Sequence, residues 1–200
     1  MRLDQELIVS LINPYSRVLD IGSGDGTLID HLSRHRKCDA RGIELDMSLV
    51  TQAVAKGLPV IQGNADFDLK NYPTKGFDYV VLSRTLQAVN RPKEVLQQIM
   101  RIGRHGIVSF PNFGHWFPRM QLLFGGRMPM NKVWSTQWYE TPNIHPCTMM
   151  DFVDLCQQEH YEIKQWLAIN DKGGKAPWKR SLYLANIFGE QALFLLSNRN

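Results

Sequence analysis

A doubly wound α/β sheet is what this 200-residue sequence predicts, and three observations predict it. Short apolar runs alternate with helical patterns at a spacing of roughly 20–30 residues, the rhythm of βαβ units. Residues 18–26 read VLDIGSGDG: an apolar strand, then a turn with glycines at 22, 24 and 26, with a helical pattern opening at Thr27. Residues 77–82, FDYVVL, are almost continuously apolar, as expected of a central parallel strand buried on both faces.

The chain in order supports that class. Leu7, Ile8, Leu11 and Ile12 recur at helical spacing over residues 3–12, and Asn13–Pro14 ends that helix. A strand at 17–21 leads through the glycine turn into a helix over about 27–35. Residues 41–45 form a second strand ending on an acid, and Asp46 can cap a helix at 47–56 that Gly57 terminates. Residues 59–62 are a third strand, followed by a loop at 63–66. After the strand at 77–82, Arg91–Pro92 opens a helix through Met100, and 106–110 is a fifth strand stopped by Pro111. Thr148 and Asp151 make an approximate capping box for a helix over about 148–159. Tyr161–Ile169 and Ala185–Leu196 read as two final strands, with Gly173–Gly174 and a Lys172, Lys175, Lys179, Arg180 cluster between them. The expectation is a single domain over 1–200, with an aromatic- and methionine-rich insertion at about 112–147 that holds Trp116, Trp134, Trp138, Tyr139 and the pair Gly125–Gly126.

Composition excludes several function classes. Hydrophobic content of 44% and charged content of 21% suit a globular chain with a sizeable core. No apolar run is long enough to span a membrane, and the first residues do not read as an export signal. The three cysteines lack metal spacing and read as reduced thiols, so a cytoplasmic location is expected. The net charge of +4 is a mild tilt without the dense basic stripe of a nucleic-acid binder, so no nucleic-acid partner is expected. No zinc spacing, P-loop or G-x-S-x-G is present.

Right-handed crossovers bring the loops at 22–26, 44–46, 63–66 and 83–87 to one sheet edge. The glycine spacing decides which ligand suits them. A dinucleotide fingerprint is G-x-G-x-x-G, whereas here the third glycine comes one residue early, giving D-x-G-x-G-x-G over Asp20, Gly22, Gly24 and Gly26. Glu44, at the end of the second strand, can accept both hydroxyls of a ribose. Asp20 can accept from an ammonium. A nucleoside with an amino-acid tail and no pyrophosphate fits this set better than a nicotinamide dinucleotide.

That constellation resembles the class I S-adenosylmethionine-dependent methyltransferase fold, a Rossmann-like, doubly wound, seven-stranded sheet, mostly parallel with one antiparallel strand. The resemblance implies S-adenosylmethionine or S-adenosylhomocysteine as the bound cofactor. It assigns the contacts to Asp20, Gly22, Ser23, Gly24, Gly26, Glu44, Leu45, Asn64, Ala65 and Ser83. Ser23 stands where cysteine is common, and Asn64 where aspartate often meets the adenine; asparagine can donate or accept there. A narrower resemblance rests on LSRTLQAVNRP (82–92), IVSFPNFGHW (107–116), GGRMP (125–129) and WYETPNIHPCTMMDF (138–152). Together with the glycine turn these segments are similar to the methionine biosynthesis protein MetW family. What this resemblance implies is action with a homoserine O-acyltransferase, MetX-like, in the methionine pathway. A homodimer stays open.

The alternative is an active S-adenosylmethionine-dependent methyltransferase on a small-molecule acceptor. Such a reaction needs an aligned nucleophile and, for a hydroxyl or ammonium acceptor, a base. The candidates are His115 and His145, each of which can equally be a loop anchor. Gln87, Trp116, Trp138 and Tyr139 are the expected substrate or partner contacts. The stretch 112–147 reads as a lid, a docking surface or a subsidiary core, since its residue types suit all three.

Overall fold

The structure is a computed structural model that describes residues 1–130, 135–170 and 181–199. The elements in chain order are α1 Leu3–Leu11, β1 Arg17–Ile21, α2 Thr27–Arg36, β2 Asp39–Glu44, α3 Met47–Ala55 and β3 Val60–Gln62. A 3-10 turn at Leu69–Asn71 precedes β4 Phe77–Ser83, α4 Pro92–Ile102, β5 Gly103–Pro111 and α5 Trp116–Gly125. The chain then runs through α6 Met149–Gln158, β6 Tyr161–Ile169, α7 Leu182–Phe188 and β7 Gln191–Asn198. The basic cluster with Gly173–Gly174, and Trp134, lie outside the described residues.

The seven strands form one sheet in the order β3-β2-β1-β4-β5-β7-β6. Pairs among β1 to β5 are parallel, and β7 pairs antiparallel with both β5 and β6. One reversed strand in a seven-stranded sheet is the predicted class. The chain steps outward from β1 to β3, then returns to lay β4 on the other side of β1. That reversal opens a crevice beyond the carboxyl ends of β1 and β4, where ligands of open α/β sheets bind.

Each sheet face has its own core, and the period of two along a strand sorts the residues. Leu19 and Ile21 of β1 and Val80 and Leu82 of β4 join α4 and α6 on one face. Val18 of β1, Val81 of β4 and Ile107 of β5 join α1 and α2 on the other. By the same alternation Asp20, Ser83 and Ser109 lie on the α1 side, as the polar end of an otherwise apolar stripe. The caps follow the sequence: the Asp46 side chain accepts from Ser48 N at 2.8 Å, and Thr148 and Asp151 form a reciprocal capping box.

Three details differ from expectation. Residues 185–188 are helical, not extended, because Ser181 caps a short helix and accepts from Leu184 N at 3.4 Å; the strand starts only at Gln191. The fifth strand begins earlier, at Gly103, and keeps Pro111 as its last residue, paired with Gln191, where its missing N–H costs the ladder little. The second strand covers Asp39–Glu44, leaving Leu45 beyond its end. Part of the insertion is a regular helix, α5.

Candidate functional site

Gly22, Gly24 and Gly26 all take positive φ, at 72°, 59° and 81°. That conformation is nearly free for glycine and strained for other residues. The reasons for glycine differ along the turn. A Cβ on Gly22 would collide with the Thr85 side chain, whose hydroxyl donates to Ile21 O at 3.1 Å. A Cβ on Gly24 would meet nothing within 4 Å, so this glycine faces open space. The turn is tied to β2 through Gly22 N, which donates to Ile43 O at 2.8 Å. Asp25 accepts from the Thr27 hydroxyl at 2.7 Å and pairs with Lys56 at 2.7 Å. The Lys56 bond, with help from Thr27, lowers its pKa to about 2.

Three carboxylates gather around this turn. Glu44 sits at the end of β2 and bridges to the turn: one oxygen accepts from Gly24 N at 2.7 Å, the other from Leu45 N at 2.8 Å and Asp46 N at 3.0 Å. These bonds hold the carboxylate at the crevice, and the oxygen that accepts only from Gly24 N keeps a further lone pair for a hydroxyl donor. Asp20 is 2% exposed, and its Oδ1 has no hydrogen-bond partner. Burial raises its pKa to about 7, against the pull of Arg2 and with a further push from Glu44. A buried carboxylate oxygen without a donor is costly and marks a place built for a cationic or N–H group.

The third carboxylate, Asp4, was not foreseen from the sequence. It comes from the first turn of α1, is 1% exposed, and pairs with Arg2 Nε at 3.2 Å and Arg84 Nε at 3.5 Å. The Ser83 hydroxyl donates to Asp4 Oδ2 at 3.2 Å, and the Ser109 hydroxyl lies 3.5 Å from the same oxygen. Arg2 Nη2 donates to Ser83 Oγ at 2.9 Å. Arg84 holds φ of 61° while its N–H donates to Ser109 O at 2.8 Å. A readable signal existed: Asp4, Ile8 and Ile12 recur every four residues, which puts Asp4 on the buried stripe of α1.

The loop after β3 is internally tied. Asn64 Oδ1 accepts from Asp66 N at 2.8 Å, and Asn64 N donates to Asp68 Oδ2 at 2.7 Å. Ala65 packs against the core, and Asp66 accepts from Asn90 N at 3.1 Å and Arg91 N at 2.9 Å, joining this loop to the one after β4. Leu45 is exposed beside the crevice.

The other candidates stand in a different setting. Gln87 is fully buried; its side-chain amide nitrogen donates to Pro111 O at 3.0 Å and its backbone carbonyl accepts from His145 N at 3.0 Å. It ties the loop after β4 to the loop before α6, so any contact with substrate or partner runs through the loops it holds. His145 Nε2 lies 3.2 Å from Asn90 O in the same tie. His115 caps α5, with Nδ1 accepting from Phe117 N at 3.4 Å, and burial lowers its pKa despite Glu190. A neutral ring that accepts at Nδ1 carries its proton on Nε2, an assignment inferred from the bond. In that tautomer it donates and has no free site for a proton. Trp116 is exposed on α5, and Trp138 meets Tyr139 edge to face at 5.6 Å. Trp138 lines a groove of about 480 Å³ with Arg127, Met128, Met130 and Gln137. Among the described residues no cluster of His, Cys, Asp or Glu could hold a metal.

Comparison with known proteins adds a family. The model of the family described as methionine biosynthesis protein MetW matches residues 2–196. A bifunctional methionine biosynthesis protein MetXA/MetW from Rhodopirellula baltica is 34% identical over 174 residues, which is 82% of this chain and 28% of that protein. The chain thus spans under a third of that relative's length. Among solved structures, an S-adenosylmethionine-dependent methyltransferase from Mesorhizobium loti superposes with a TM-score of 0.71 at 14% identity, over 98% of this chain and 97% of the other. The [4+2]-cyclase SpnF superposes with a TM-score of 0.67 at 15% identity, over 97% and 80%. At such identities the likeness is one of fold, and the cyclase shows that this fold is not bound to one reaction.

Proposed function

The chain belongs to the methionine biosynthesis protein MetW family, and from that premise we propose that it binds S-adenosylmethionine or S-adenosylhomocysteine at the glycine turn and acts with a MetX-like homoserine O-acyltransferase. The observation that carries the ligand is the trio at the crevice: the orphaned Asp20 oxygen, the open face of Gly24 and the Glu44 carboxylate. Asp20 takes the ligand's ammonium, Gly24 lets the tail pass over the turn, and Glu44 takes the ribose hydroxyls. Ser83, Ser23, Leu45, Asn64 and Ala65 complete the lining of the crevice. The donor set suits a nucleoside with a zwitterionic tail, and no methyl acceptor is implied by it.

The acyltransferase is supported by the relative in which MetXA and MetW form one chain. The docking face is the exposed apolar side of α5 and its surroundings, where Trp116, Leu123, Phe124, Trp138 and Tyr139 stand open to solvent. An apolar surface rich in aromatics suits partner contact. The three thiols are free and no helix of the described residues is long and apolar enough to cross a membrane, which suits work in the cytoplasm.

Calorimetric titration with S-adenosylhomocysteine and with NAD tests the ligand; binding of NAD alone sinks it. Co-expression with the acyltransferase, followed by size-exclusion chromatography and an acyltransferase assay, tests the partnership. Separate elution with unchanged acyltransferase activity rules it out. The second reading, an active methyltransferase, draws on the same crevice, but His115 and His145 are both engaged as loop anchors. Methyl transfer to a pathway metabolite that disappears in Glu44→Ala would favour it.

A further inference from the structure

The crevice has a cationic wall that the family resemblance does not supply. α1 lies on the same sheet face as Asp20, Ser83 and Ser109, and its N-terminal end brings Arg2 to the carboxyl end of β4. The register pairs Ile21 with Leu82, so Ser83 stands level with Gly22, the first residue of the turn. Arg2 Nη2 is bonded to that Ser83 hydroxyl at 2.9 Å. The guanidinium therefore sits beside the turn, close enough to Asp20 to favour its charged form. Its side chain is 46% exposed, whereas the Asp4 carboxylate behind it is fully buried. Asp4 is shared between Arg2 and Arg84, with two hydroxyls on the same oxygen. The half-exposed Arg2 charge thus stands at the wall of the crevice, on the sheet face that carries Asp20.

We propose that Arg2 is the residue that recognises the carboxylate of the ligand's amino-acid tail, with Asp4 and Ser83 as the residues that position it. This rests on the ligand reading above and deepens it. An α-amino acid carries its ammonium and carboxylate on one carbon, so a site for it needs an anion and a cation side by side. Asp20 and Arg2 supply that pair from β1 and α1. Guanidinium suits the task because it carries several donors at once: Nε and Nη2 hold Asp4 and Ser83, which leaves the two N–H groups of Nη1 for a carboxylate. The consequence is selectivity: the crevice distinguishes a zwitterionic tail from one that has lost its carboxylate.

The test is calorimetric titration of the full chain, any affinity tag being placed after Asn200, with S-adenosylmethionine and with its decarboxylated form. The wild-type protein should bind the decarboxylated nucleoside about tenfold or more weakly, the size of a lost charge-assisted pair. Titrated at pH 8.5, where Asp20 is largely ionised, Arg2→Gln should weaken S-adenosylmethionine by a similar factor and the decarboxylated ligand much less, which removes the discrimination. Arg2→Lys, which keeps a charge on Asp4, should restore part of it. A thermal melt run beside each titration checks that the variants are folded. Equal affinity of the wild-type protein for both ligands overturns the inference with no variant needed. An equal loss for both ligands in Arg2→Gln also overturns it, since that is the mark of a purely structural role. Failure of both ligands to bind the wild-type protein is a different result and removes the ligand reading itself.

Discussion

Asp20 is the residue at which stability and the proposed ligand binding oppose each other. Burial holds its pKa near 7, about three units above the ordinary carboxylate value, while Arg2 draws it down and Glu44 pushes it up. A carboxyl whose folded pKa is raised binds a proton between about pH 4 and 7 that the unfolded chain has released. Native stability from this group is therefore greatest at the acid end of that window and falls as pH rises towards 7, by about 4 kcal/mol in total. Asp20→Asn removes the buried charge. Its melting temperature should exceed wild type at pH 8, with the gain shrinking towards pH 5. The same variant should lose affinity for a ligand that presents an ammonium. In the wild type, that affinity should rise with pH below 7, approaching about tenfold per pH unit, because the ligand takes the ionised form. A flat titration across pH 5.5–7.5 would show that Asp20 is not its partner. Gly22 makes the other residue-scale prediction: Gly22→Ala forces a side chain onto Thr85 at positive φ. It should cost about 2 kcal/mol or more in urea unfolding.

Among the elements, the junction of β5, α6 and α7 depends on one buried asparagine just past β5. Asn112 donates to Asn186 O and Gly189 O, both at 2.8 Å, and its Oδ1 accepts from Gly114 N at 3.0 Å and Met149 N at 3.2 Å. Every hydrogen-bonding site of the side chain is thereby used, and three segments distant in sequence are held together. Asn112→Ala leaves two carbonyls and two N–H groups without this partner, so it should lower unfolding free energy by about 2–4 kcal/mol in a denaturant titration. This junction also explains why 185–188 is helical against its β-like composition. Ser181 caps the start, Asn186 is drawn into the buried network through Met149 N at 3.1 Å, and β7 begins afterwards. Local propensity is outweighed by tertiary bonds that no nearby residue announces.

Across the whole molecule, the sheet separates a ligand edge from an apolar outer surface. The core on the α4 and α6 face is organised by Phe110, Phe152 and Phe194, whose rings lie 4.8 to 6.0 Å apart. α5 stands out from this core: only Pro118 among its residues is buried, while Leu123 and Phe124 are 68% and 81% exposed. Replacing Leu123 and Phe124 by serine should leave the melting temperature within about 1 °C of wild type, since neither is part of the core. If α5 is the acyltransferase face, the same double variant should lose co-elution with the partner. Retained co-elution would place the contact elsewhere. A relative carries MetXA and MetW in one chain, where any contact between the two parts would be intramolecular and would need less affinity than one between separate chains.

The sequence by itself determined the local units and their order. Short apolar runs set the strands of the parallel half, Asp46 and Thr148 set two helix starts, and the glycine spacing set the turn after β1, where all three glycines take positive φ. Each of these depends on backbone geometry or on neighbours a few residues away, which spacing records directly. Tertiary structure decided what meets across long separations. Arg2 reaches Ser83 over 81 positions, and Asp4 meets Ser109 over 105, only because α1 packs along the sheet face that carries the polar end of β1, β4 and β5. It also decided that Gln87 is an internal tie and that both candidate histidines anchor loops. A polar side chain looks the same in a sequence whether it faces a ligand or a backbone carbonyl. Its partner is chosen by packing, and packing is a property of the whole fold.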